Sequence, residues 1–355
     1  MRTRTLSYLA GVVALTVTIS GCGPATPTPT VSPTATSVAV EAPLPRLPIT
    51  CDDLVAPATV AGLAGESAPL LWSENDSPDS WVEVAQRQAG MLTCGWGADR
   101  ERVALSVGVM PDAGRFFTGY IDSVFPSYYE RYDAVGDRSV HRCAYGQCSF
   151  SILVGDYLIG GYANRPDLMD ELDLEPLMLP VLEDVAGSVA EAIPHERPAW
   201  AAPESALPGW GWACGDEAPI AELGAIAGLP DPNPTGTDWE DPTFSAMVDA
   251  VAPSWCTLTS AGAPERYLSL VVVEGGGWVT EEWQIDPPTQ WYETPREAIA
   301  LEGLGTAYLG EDGGYYDILF ALEGSFVSFG AGAASRDEFL DWSTQVAQLL
   351  AARAA

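Results

Sequence analysis

The sequence contains no lysine and very little histidine, and each shortage removes a class of function. All 16 basic residues among the 355 are arginines, and His141 and His195 are the only histidines. Lysine Schiff-base chemistry and multi-histidine metal sites are therefore excluded. The 49 acidic residues give a net charge of -33, which also excludes a basic face for nucleic acid.

Motifs for catalysis and cofactor binding are missing as well. The sequence has no G-x-S-x-G nucleophile elbow, no P-loop and no dinucleotide fingerprint. Residues 231–236 begin like a calcium loop, but Pro242 occupies the position of the bidentate glutamate. We therefore expect no metal and no cofactor, and we assign no catalytic residue. A glycosidase-type carboxylate pair stays open, because a sequence does not measure the separation of two carboxyl groups.

The two histidines have simpler structural interpretations. His195 lies in a proline-rich segment, and His141 lies two residues before Cys143. We expect His141 to be a strand or turn residue beside a disulfide, and a general-base role is the weaker alternative.

Only one long hydrophobic run is present, and it lies at the amino terminus. Arg2 and Arg4 precede the apolar stretch Leu6–Ile19, which has the length of a secretory signal and is short for a lasting membrane span. Ser20-Gly21-Cys22 follows and resembles the lipobox of bacterial lipoproteins. We expect residues 1–21 to be a lipoprotein signal peptide, with an ordinary export signal as the alternative. Lipidation of Cys22, with palmitate among the acyl chains, then anchors the protein to the extracytoplasmic face of the cell membrane.

Residues 22–50 form a segment dominated by proline, threonine, serine and alanine after the lipidated cysteine. Such a composition cannot pack a core and favours extended, polyproline-like conformations. At about 3.1 Å per residue, this tether extends up to about 85 Å from the membrane. That reach suits a cell envelope with a wall.

The remaining sequence repeats one plan twice. Each half contains a cysteine, a short helical stretch, a second cysteine, a strand-like run, a glycine-containing hairpin and a closing helix. In the first half these are Cys51, Pro57–Leu63, Cys94, Arg102–Val109, Ile152–Ile159 and Pro176–Ile193. In the second half they are Cys214, Pro219–Leu229, Cys256, Arg266–Val273, Leu319–Phe326 and Arg336–Ala352.

This repeat predicts an α+β fold with two tandem domains, each an antiparallel β-sheet packed with helices. The expected boundaries are 51–193 for the first half, 194–210 for a proline-rich linker and 211–355 for the second half. About 150 residues can bury a core alone. We therefore expect the halves to fold independently and to share only a modest interface.

Six cysteines remain after Cys22, an even number that favours disulfides in an exported protein. The repeat pairs the equivalent positions, Cys51 with Cys94 and Cys214 with Cys256, and leaves Cys143 for Cys148. The two long loops are each worth about 4 kcal/mol by chain entropy, and the short loop about 2 kcal/mol. Zinc binding and redox catalysis are the weaker alternatives, because no C-x-x-C pair is present.

The order of lipobox, Thr/Pro tether, C-x-x-L with a short helix and a later C-x-W resembles a known family. It is similar to actinobacterial cell-surface lipoproteins that carry tandem disulfide-containing domains of unknown function. The first half matches this pattern with Cys51, Leu54, Cys94 and Trp96. In the second half, Ile220 and Leu258 stand only loosely for the leucine and the tryptophan. The resemblance implies a surface lipoprotein and brings no catalytic residues.

Tryptophan is the residue most suggestive of a binding surface. Most of the 12 tryptophans lie after residue 209 and are expected in the core. We nevertheless select Trp278, Trp291 and Tyr292 as candidates to line a groove for a sugar or a peptide.

The sequence thus predicts a membrane-anchored extracytoplasmic lipoprotein that acts as a non-catalytic binding or interaction module. Its expected partners are the membrane, through the lipid, and a cell-wall or other envelope component. The alternatives are an envelope carrier or sensor for a lipid or small molecule and, third, a hydrolase. A deep apolar pocket favours the carrier, and an exposed aromatic patch beside closed cores favours the interaction module. Carboxylates with perturbed pKa values in one cleft favour the hydrolase.

Overall fold

Two antiparallel β-sheets, one from each half of the chain, provide the framework of the protein. The computed structural model describes residues 41–121, 130–131, 135–168, 171–212, 214–235, 241–262, 266–290, 294–301, 305–333 and 335–354. The predicted lipidation site Cys22, most of the tether and the candidate aromatics Trp291 and Tyr292 lie outside these residues. The predicted α+β class with helix-packed antiparallel sheets is confirmed.

The elements of the first half surround the long β3, β6 and β7 strands. In chain order they are α1 (Cys51–Leu54), α2 (Pro57–Ala64), β1 (Leu70–Trp72), α3 (Trp81–Gln88), β2 (Leu92–Gly97), β3 (Val103–Met110), α4 (Gly114–Phe116), a π-helical turn (Phe117–Ile121), β4 (Glu130–Arg131), β5 (Arg138–Ala144), β6 (Gln147–Val154), β7 (Tyr157–Asn164), α5 (Glu171–Ala192) and a 3-10 turn (Ile193–His195).

The second half repeats this series with one additional small hairpin and, among the described residues, without a counterpart to α1. Its elements are α6 (Ile220–Ile226), β8 (Asn233–Thr235), α7 (Pro242–Val251), β9 (Ser254–Thr259), β10 (Tyr267–Val273), a 3-10 turn (Gly276–Trp278), α8 (Val279–Ile285), β11 (Thr289–Gln290), β12 (Thr294–Pro295), β13 (Glu297–Leu301), β14 (Gly305–Asp312), β15 (Tyr315–Leu322), β16 (Ser325–Gly332) and α9 (Arg336–Ala354).

The two sheets have the same strand order. The first sheet runs β1-β2-β3-β7-β6-β5-β4, and the second runs β8-β9-β10-β16-β15-β14-β13. The predicted hairpins are present as β6–β7 and β15–β16, with Gly155 and Gly324 in the left-handed region at their turns. Cys94 lies on β2 and Cys256 on β9, which is the matching strand. The repeat in the sequence is therefore a repeat in topology.

Each sheet buries one face against the helices of its own half. In the first half, α1, α2 and α5 cover a cluster that includes Leu54, Leu105 and Val185. In the second half, α9 covers the sheet, and Phe339 of α9 stacks on Phe329 with 5.3 Å between ring centroids. No helix in the described part of the chain has the length and apolar character needed to cross a bilayer.

The three predicted disulfides are present in the structure. They join Cys51 to Cys94, Cys143 to Cys148 and Cys214 to Cys256. The first links the amino-terminal helix α1 to strand β2, and the second links the two strands of the β5–β6 hairpin. Such disulfides are typical of an extracytoplasmic protein.

The helices α3 and α7, which the sequence analysis did not predict, join the two halves. Helix α3 of the first half packs on β10 and β16 of the second sheet. Helix α7 of the second half packs on β3 and β7 of the first sheet, and the two helices contact each other. Because β3 and β7 occupy the positions of β10 and β16, the exchange is reciprocal.

A third hydrophobic core surrounds these exchanged helices. It combines buried residues from both halves: Val84, Ala85, Met91, Met110, Ala113, Phe117, Val140 and Leu158, with Ala246, Met247, Trp255, Val271, Val273, Trp278, Val279, Trp283, Tyr308, Leu319 and Phe326. The expectation of a modest interface is therefore wrong, because each half places one of its helices on the sheet of the other. Residues 39–355 accordingly form one compact unit.

The proline-rich segment 194–210 is mostly exposed but is fixed to both halves at several points. Leu207 and Trp210 are buried, and the guanidinium of Arg197 donates to the carbonyl of Pro45 at 2.9 Å. Trp200 donates through its indole nitrogen to the carbonyl of Glu41 at 3.3 Å. The segment connects the two sheets while also covering parts of both halves. Its role as a boundary between separately folding domains stays a prediction.

Candidate functional site

Each sheet has a second face, here called the interface face, which is turned away from its own closing helix. On the first sheet, strand register places two rows of small or hydroxylated residues on this face. One row is Thr93, Gly108, Gly160 and Ser151; the next is Gly95, Ser106, Tyr162 and Ser149. Another part of the face, with Met110 and Leu158, is apolar and belongs to the shared core. The apolar part is thus covered, and the small-residue part is left for a cleft.

This first-sheet cleft has a volume of about 650 Å³, within the range usual for ligand sites. The floor is formed by the residues of the two rows other than Gly95, which Trp72 covers. Glu83 and Gln86 of α3 line one side, and Asp241 and Thr243 at the start of α7 line another. Trp72 also lines the cleft. The cleft therefore offers hydroxyl, amide and carboxylate groups beside an indole ring.

Two glycines allow close packing around the first-sheet cleft. A Cβ atom on Gly160 would lie 2.7 Å from the Cγ2 atom of Thr243, so α7 reaches the sheet only because this position has no side chain. A Cβ atom on Gly95 would lie 2.1 Å from the indole of Trp72. Trp72 therefore lies directly on the backbone of β2.

Helix α7 begins with a side-chain cap at the edge of the first-sheet cleft. The Asp241 carboxylate accepts hydrogen bonds from the backbone nitrogens of Thr243 and Phe244, at 2.7 and 3.1 Å. Pro242 occupies the first helical position, where its missing N–H costs no hydrogen bond. This local sequence fixes the helix start above Gly160.

The second sheet carries an equivalent cleft with different chemistry. Ser269, Gly330 and Asp317 lie side by side on β10, β16 and β15. They occupy the positions that Ser106, Tyr162 and Ser149 hold on the first sheet. The second-sheet cleft has a volume of about 300 Å³, and the start of α3 lines it in the way that the start of α7 lines the first. The two halves therefore carry related but dissimilar clefts.

A buried ion pair crosses the second-sheet cleft. The Nη1 atom of Arg296 donates to Oδ2 of Asp317 at 2.5 Å, and Nε of Arg296 donates to the carbonyl of Thr289 at 3.2 Å. Thr289 in turn donates through its hydroxyl to Oδ2 of Asp79 at 2.6 Å. These bonds connect Asp79 of the first half with Asp317 of the second.

A capping box at the start of α3 holds Asp79 in place. The carboxylate of Glu83 accepts from the backbone nitrogens of Asp79 and Ser80, at 2.7 and 3.1 Å. The Ser80 hydroxyl accepts from the backbone nitrogen of Glu83 at 3.3 Å. The indole nitrogen of Trp283 fixes the preceding residue by donating to the carbonyl of Pro78 at 2.8 Å.

Burial shifts the titration of the acids in the second-sheet cleft. Burial raises the pKa of Asp79 above its ordinary value, and the hydrogen bond from Thr289 opposes this shift. Burial also raises the pKa of Asp317, against the attraction of Arg296. The pKa of Tyr315 is raised by burial first and by the nearby Asp317 charge second. The second-sheet cleft is thus a poorly solvated environment for charge.

An aromatic cluster lies where α3 and α7 begin. Its members are Trp81, Trp212, Phe244 and Trp255, with ring centroids between 4.3 and 6.0 Å apart. Trp255 is buried, and the other three are only partly covered. Trp81 also lines the second-sheet cleft. The cluster combines rings from both halves and leaves part of its surface open to solvent.

The structure changes the list of candidate binding aromatics. Trp278 is only 2 % exposed and packs in the shared core, where the guanidinium of Arg87 lies 5.2 Å from its ring centroid. It therefore has no surface for a ligand, because the exchanged helix α3 packs against it. Among the tryptophans that the structure describes, Trp72 lines the first-sheet cleft and Trp81 lines the second. The capping motif from Ser80 to Glu83 is visible in the sequence and marks the start of α3, so it is the signal from which this region could have been chosen as a candidate site.

The two histidines lie away from the clefts. His141 is buried on β5, and its Nε2 atom lies 3.4 Å from a carboxylate oxygen of Glu175. His141 is thus a strand residue near the Cys143–Cys148 disulfide, as predicted from the sequence. His195 ends the 3-10 turn after α5 and is exposed.

One cluster in the described part of the chain has the spacing of a metal site but not its chemistry. Cys51, Glu74 and Cys94 bring their ligand atoms within 4.8 Å of one another. The two sulfurs are joined in a disulfide, so neither is a thiolate. We therefore assign no metal to this cluster.

Comparison of the chain with protein-family models, with curated proteins and with solved structures found no match.

Proposed function

We propose that the protein is a lipid-anchored, extracytoplasmic binding module of the cell envelope, and that the first-sheet cleft is its ligand site. The proposal joins the sequence signals for export and lipidation with a cleft that is large enough for a ligand. The resemblance to actinobacterial cell-surface lipoproteins belongs to the same proposal. We infer a non-catalytic role.

The single observation that carries the proposal is the contrast between the two faces of the first sheet. The helix-covered face carries large apolar side chains such as Leu105, Val107 and Ile152. The floor of the cleft carries hydroxyl groups and glycines at the adjacent positions of the same strands. A surface with this composition favours hydrogen bonds to a polar ligand over burial of a lipid chain.

We infer that the ligand is an uncharged, hydroxyl-rich molecule, with an envelope glycan as the best candidate. Ser106, Ser149 and Thr93 both donate and accept, as sugar hydroxyls do, and Gln86 adds an amide. The indole of Trp72 provides an apolar face against which a sugar ring packs. The acidic groups Glu83 and Asp241 and the net charge of -33 disfavour an anionic ligand.

Binding to soluble cell-wall glycan fragments tests the glycan assignment. Isothermal titration calorimetry should give saturable binding to the wild-type protein. Gln86→Ala should weaken it about tenfold, which corresponds to about 1.4 kcal/mol, and Ser149→Phe should block it by filling the cleft. Gln348→Ala, an exposed glutamine on α9, is the matched control and should bind as wild type. Equal affinities for Gln86→Ala and Gln348→Ala would contradict the assignment of the cleft.

The carrier alternative has less support. A lipid carrier needs a deep apolar pocket, and the floor of the larger cleft is polar. Native mass spectrometry of protein purified from its own envelope tests this alternative, since a retained lipid would appear as an added mass. Such a mass, lost on delipidation, would favour the carrier over the glycan-binding module.

A hydrolase is the second candidate, and one observation favours it. Asp79 and Asp317 both have raised pKa values and line the same cleft, which is the pattern of a general acid beside a second carboxylate. We place it second because Arg296 already holds Asp317 in an ion pair. Turnover of chromogenic glycosides that is abolished in Asp79→Asn would reverse this order.

The lipid anchor is tested separately. Metabolic labelling with a fatty-acid probe should mark the wild-type protein and leave Cys22→Ala unmarked, because the thioether forms on that sulfur. Equal labelling of the two proteins would contradict the lipoprotein assignment and leave the ligand site untouched.

A further inference from the structure

Two aspartates that line the second-sheet cleft are almost completely buried. Asp79 and Asp317 are each 9 % exposed, although both line a cavity of about 300 Å³. They come from different halves of the chain, and the exchanged helix α3 brings Asp79 to the second sheet. The cavity therefore exists only when the two halves are assembled.

Each carboxylate uses one oxygen and leaves the other without a hydrogen bond. Oδ2 of Asp317 accepts from Arg296, and Oδ2 of Asp79 accepts from Thr289. Within the described residues, Oδ1 of Asp79 and Oδ1 of Asp317 have no hydrogen-bond partner. A buried acceptor without a donor is unfavourable. Both oxygens are buried, lack a donor and belong to side chains that line the cavity; they are called the open oxygens below.

The donors already at this site are committed to the two other oxygens. Arg296 donates to Asp317 and to the carbonyl of Thr289, and Arg100 approaches Oδ2 of Asp79 at 3.8 Å. A ligand that satisfies the two open oxygens must therefore bring N–H or O–H groups of its own. Because both acceptors are carboxylates, a cationic donor gains more than a neutral one.

The walls of the cavity also suit an organic cation. Trp81 and Tyr315 are aromatic, and Val271 and Leu319 are aliphatic. The phenol of Tyr315 lies over Gly330 of the neighbouring strand β16. A Cβ atom on Gly330 would lie 2.3 Å from the hydroxyl oxygen of Tyr315. Aromatic faces attract ammonium and guanidinium groups, and the aliphatic residues suit the carbon chain that carries such a group.

We propose that the second-sheet cleft is a binding site for a small organic cation, with N–H donors that bond Oδ1 of Asp79 and Oδ1 of Asp317. A primary ammonium or an amidinium group on a short carbon chain has the required chemistry. The corresponding position to Asp317 in the first-sheet cleft is Ser149. The two clefts thus bind different ligands, one polar and uncharged and one cationic.

Calorimetry on the purified full-length protein tests the proposal with four probes. Butylammonium and benzamidinium supply the cation, butanol is the neutral control and butyrate is the anionic control. We expect saturable binding of one or both cations and no measurable binding of butanol or butyrate. The cations should also raise the thermal midpoint, since they bind only the folded protein.

Asp79→Asn should weaken cation binding at least tenfold, because it removes one of the two open oxygens while an amide oxygen still accepts from Thr289. Asp317→Asn should have a similar effect and serves as the second variant. Asp312→Asn, at an exposed acid on the neighbouring strand β14, should bind as wild type. A thermal unfolding transition in each variant shows that it is folded.

Three results would overturn the proposal. They are the absence of saturable binding of both cations, equal cation affinity in folded Asp79→Asn and the wild type, and binding of butyrate as tight as that of butylammonium. None of these outcomes bears on glycan binding in the first-sheet cleft.

Discussion

At the scale of single residues, the clefts depend on which side chains are missing as much as on those present. Gly160 has no Cβ atom, and this allows the start of α7 to reach the first sheet. Glycine at this position carries no positive φ in the structure. Its importance therefore comes from packing and not from backbone conformation.

Gly160→Ala should destabilise the protein by about 1–3 kcal/mol, the usual cost of overpacking. The new methyl would lie 2.7 Å from Cγ2 of Thr243, and rotating that side chain away would break the hydrogen bond from its hydroxyl to Asp241. Gly187→Ala is the matched control, because its Cβ meets nothing within 4 Å among the described residues and it lies inside α5. That change should stabilise by about 0.5–1 kcal/mol. Urea unfolding measures both, and equal effects would contradict this interpretation.

Asp79→Asn should change the pH dependence of stability. Because the folded pKa of Asp79 lies above its ordinary 3.8, the folded state binds this proton more tightly than the unfolded state. Its stabilising effect is present below pH 3.8 and is lost as the pH rises through the folded pKa. Arg100, Arg296 and Asp286 are the charged groups acting on it. The variant should therefore gain stability relative to wild type as the pH rises.

Asp53→Asn provides a control of opposite sign. Hydrogen bonds from the backbone and hydroxyl of Thr50 lower the pKa of Asp53, so its contribution is present above pH 3.8 and is lost on acidification. This variant should lose stability relative to wild type as the pH rises. Urea unfolding between about pH 3 and pH 7 tests the pair, and two differences of the same sign would refute the assignment.

At the scale of elements, the helices α3 and α7 determine how the halves fit together. Both carry start signals that a sequence displays, namely the Ser80–Glu83 capping box and Asp241 before Pro242. The central strands β3, β6, β7, β10, β15 and β16, the closing helices and the disulfide pairs were predictable because their signals are local or are repeated in both halves. The sheet on which a short helix packs is a long-range property, so the exchange was not predictable.

The candidate site was harder to predict than the fold for the same reason. Asp79 and Asp317 are 238 positions apart and meet only through the helix exchange. Among 49 acids no local pattern distinguishes them.

The start of helix α5 was also predicted incorrectly. The sequence placed it at Pro176, whereas the helix begins at Glu171 and includes both Pro176 and Pro180. Both prolines lie on its exposed side, where water satisfies the carbonyls that lose a partner.

Asp241→Ala should cost about 1 kcal/mol of stability, the usual value for a lost N-cap. It removes the acceptor for the backbone nitrogens of Thr243 and Phe244. Asp249→Ala, at the other end of the same helix, removes only an exposed ion pair with Arg115 and should cost less than about 0.5 kcal/mol. Thermal unfolding compares the two, and a larger loss for Asp249→Ala would contradict the capping role.

At the scale of the whole molecule, the two halves share a hydrophobic core. Each sheet has its own core, but each interface face is covered by a helix from the other half. A separated half would expose its interface face and one unpacked helix. The packing therefore argues against the independent folding expected from the sequence.

Fragments 46–198 and 204–355 should each bind a hydrophobic dye and lack a sharp thermal transition when separate. Mixing them in equal amounts should restore near-ultraviolet circular dichroism, since the exchanged helices then find their sheets. The intact chain should unfold in a single cooperative transition by calorimetry. Two separate transitions in the intact chain, or a sharp transition in either isolated fragment, would contradict this expectation.

The connecting segment 194–210 joins the two halves into one covalent chain. Two unlinked copies of one half would have to find each other by diffusion, and their assembly would weaken on dilution. The covalent connection makes that encounter intramolecular and gives it a fixed effective concentration. Two similar halves in one chain therefore stay assembled at dilutions at which separate copies would dissociate. The connection also lets the two clefts differ, because a substitution in one half does not appear in the other.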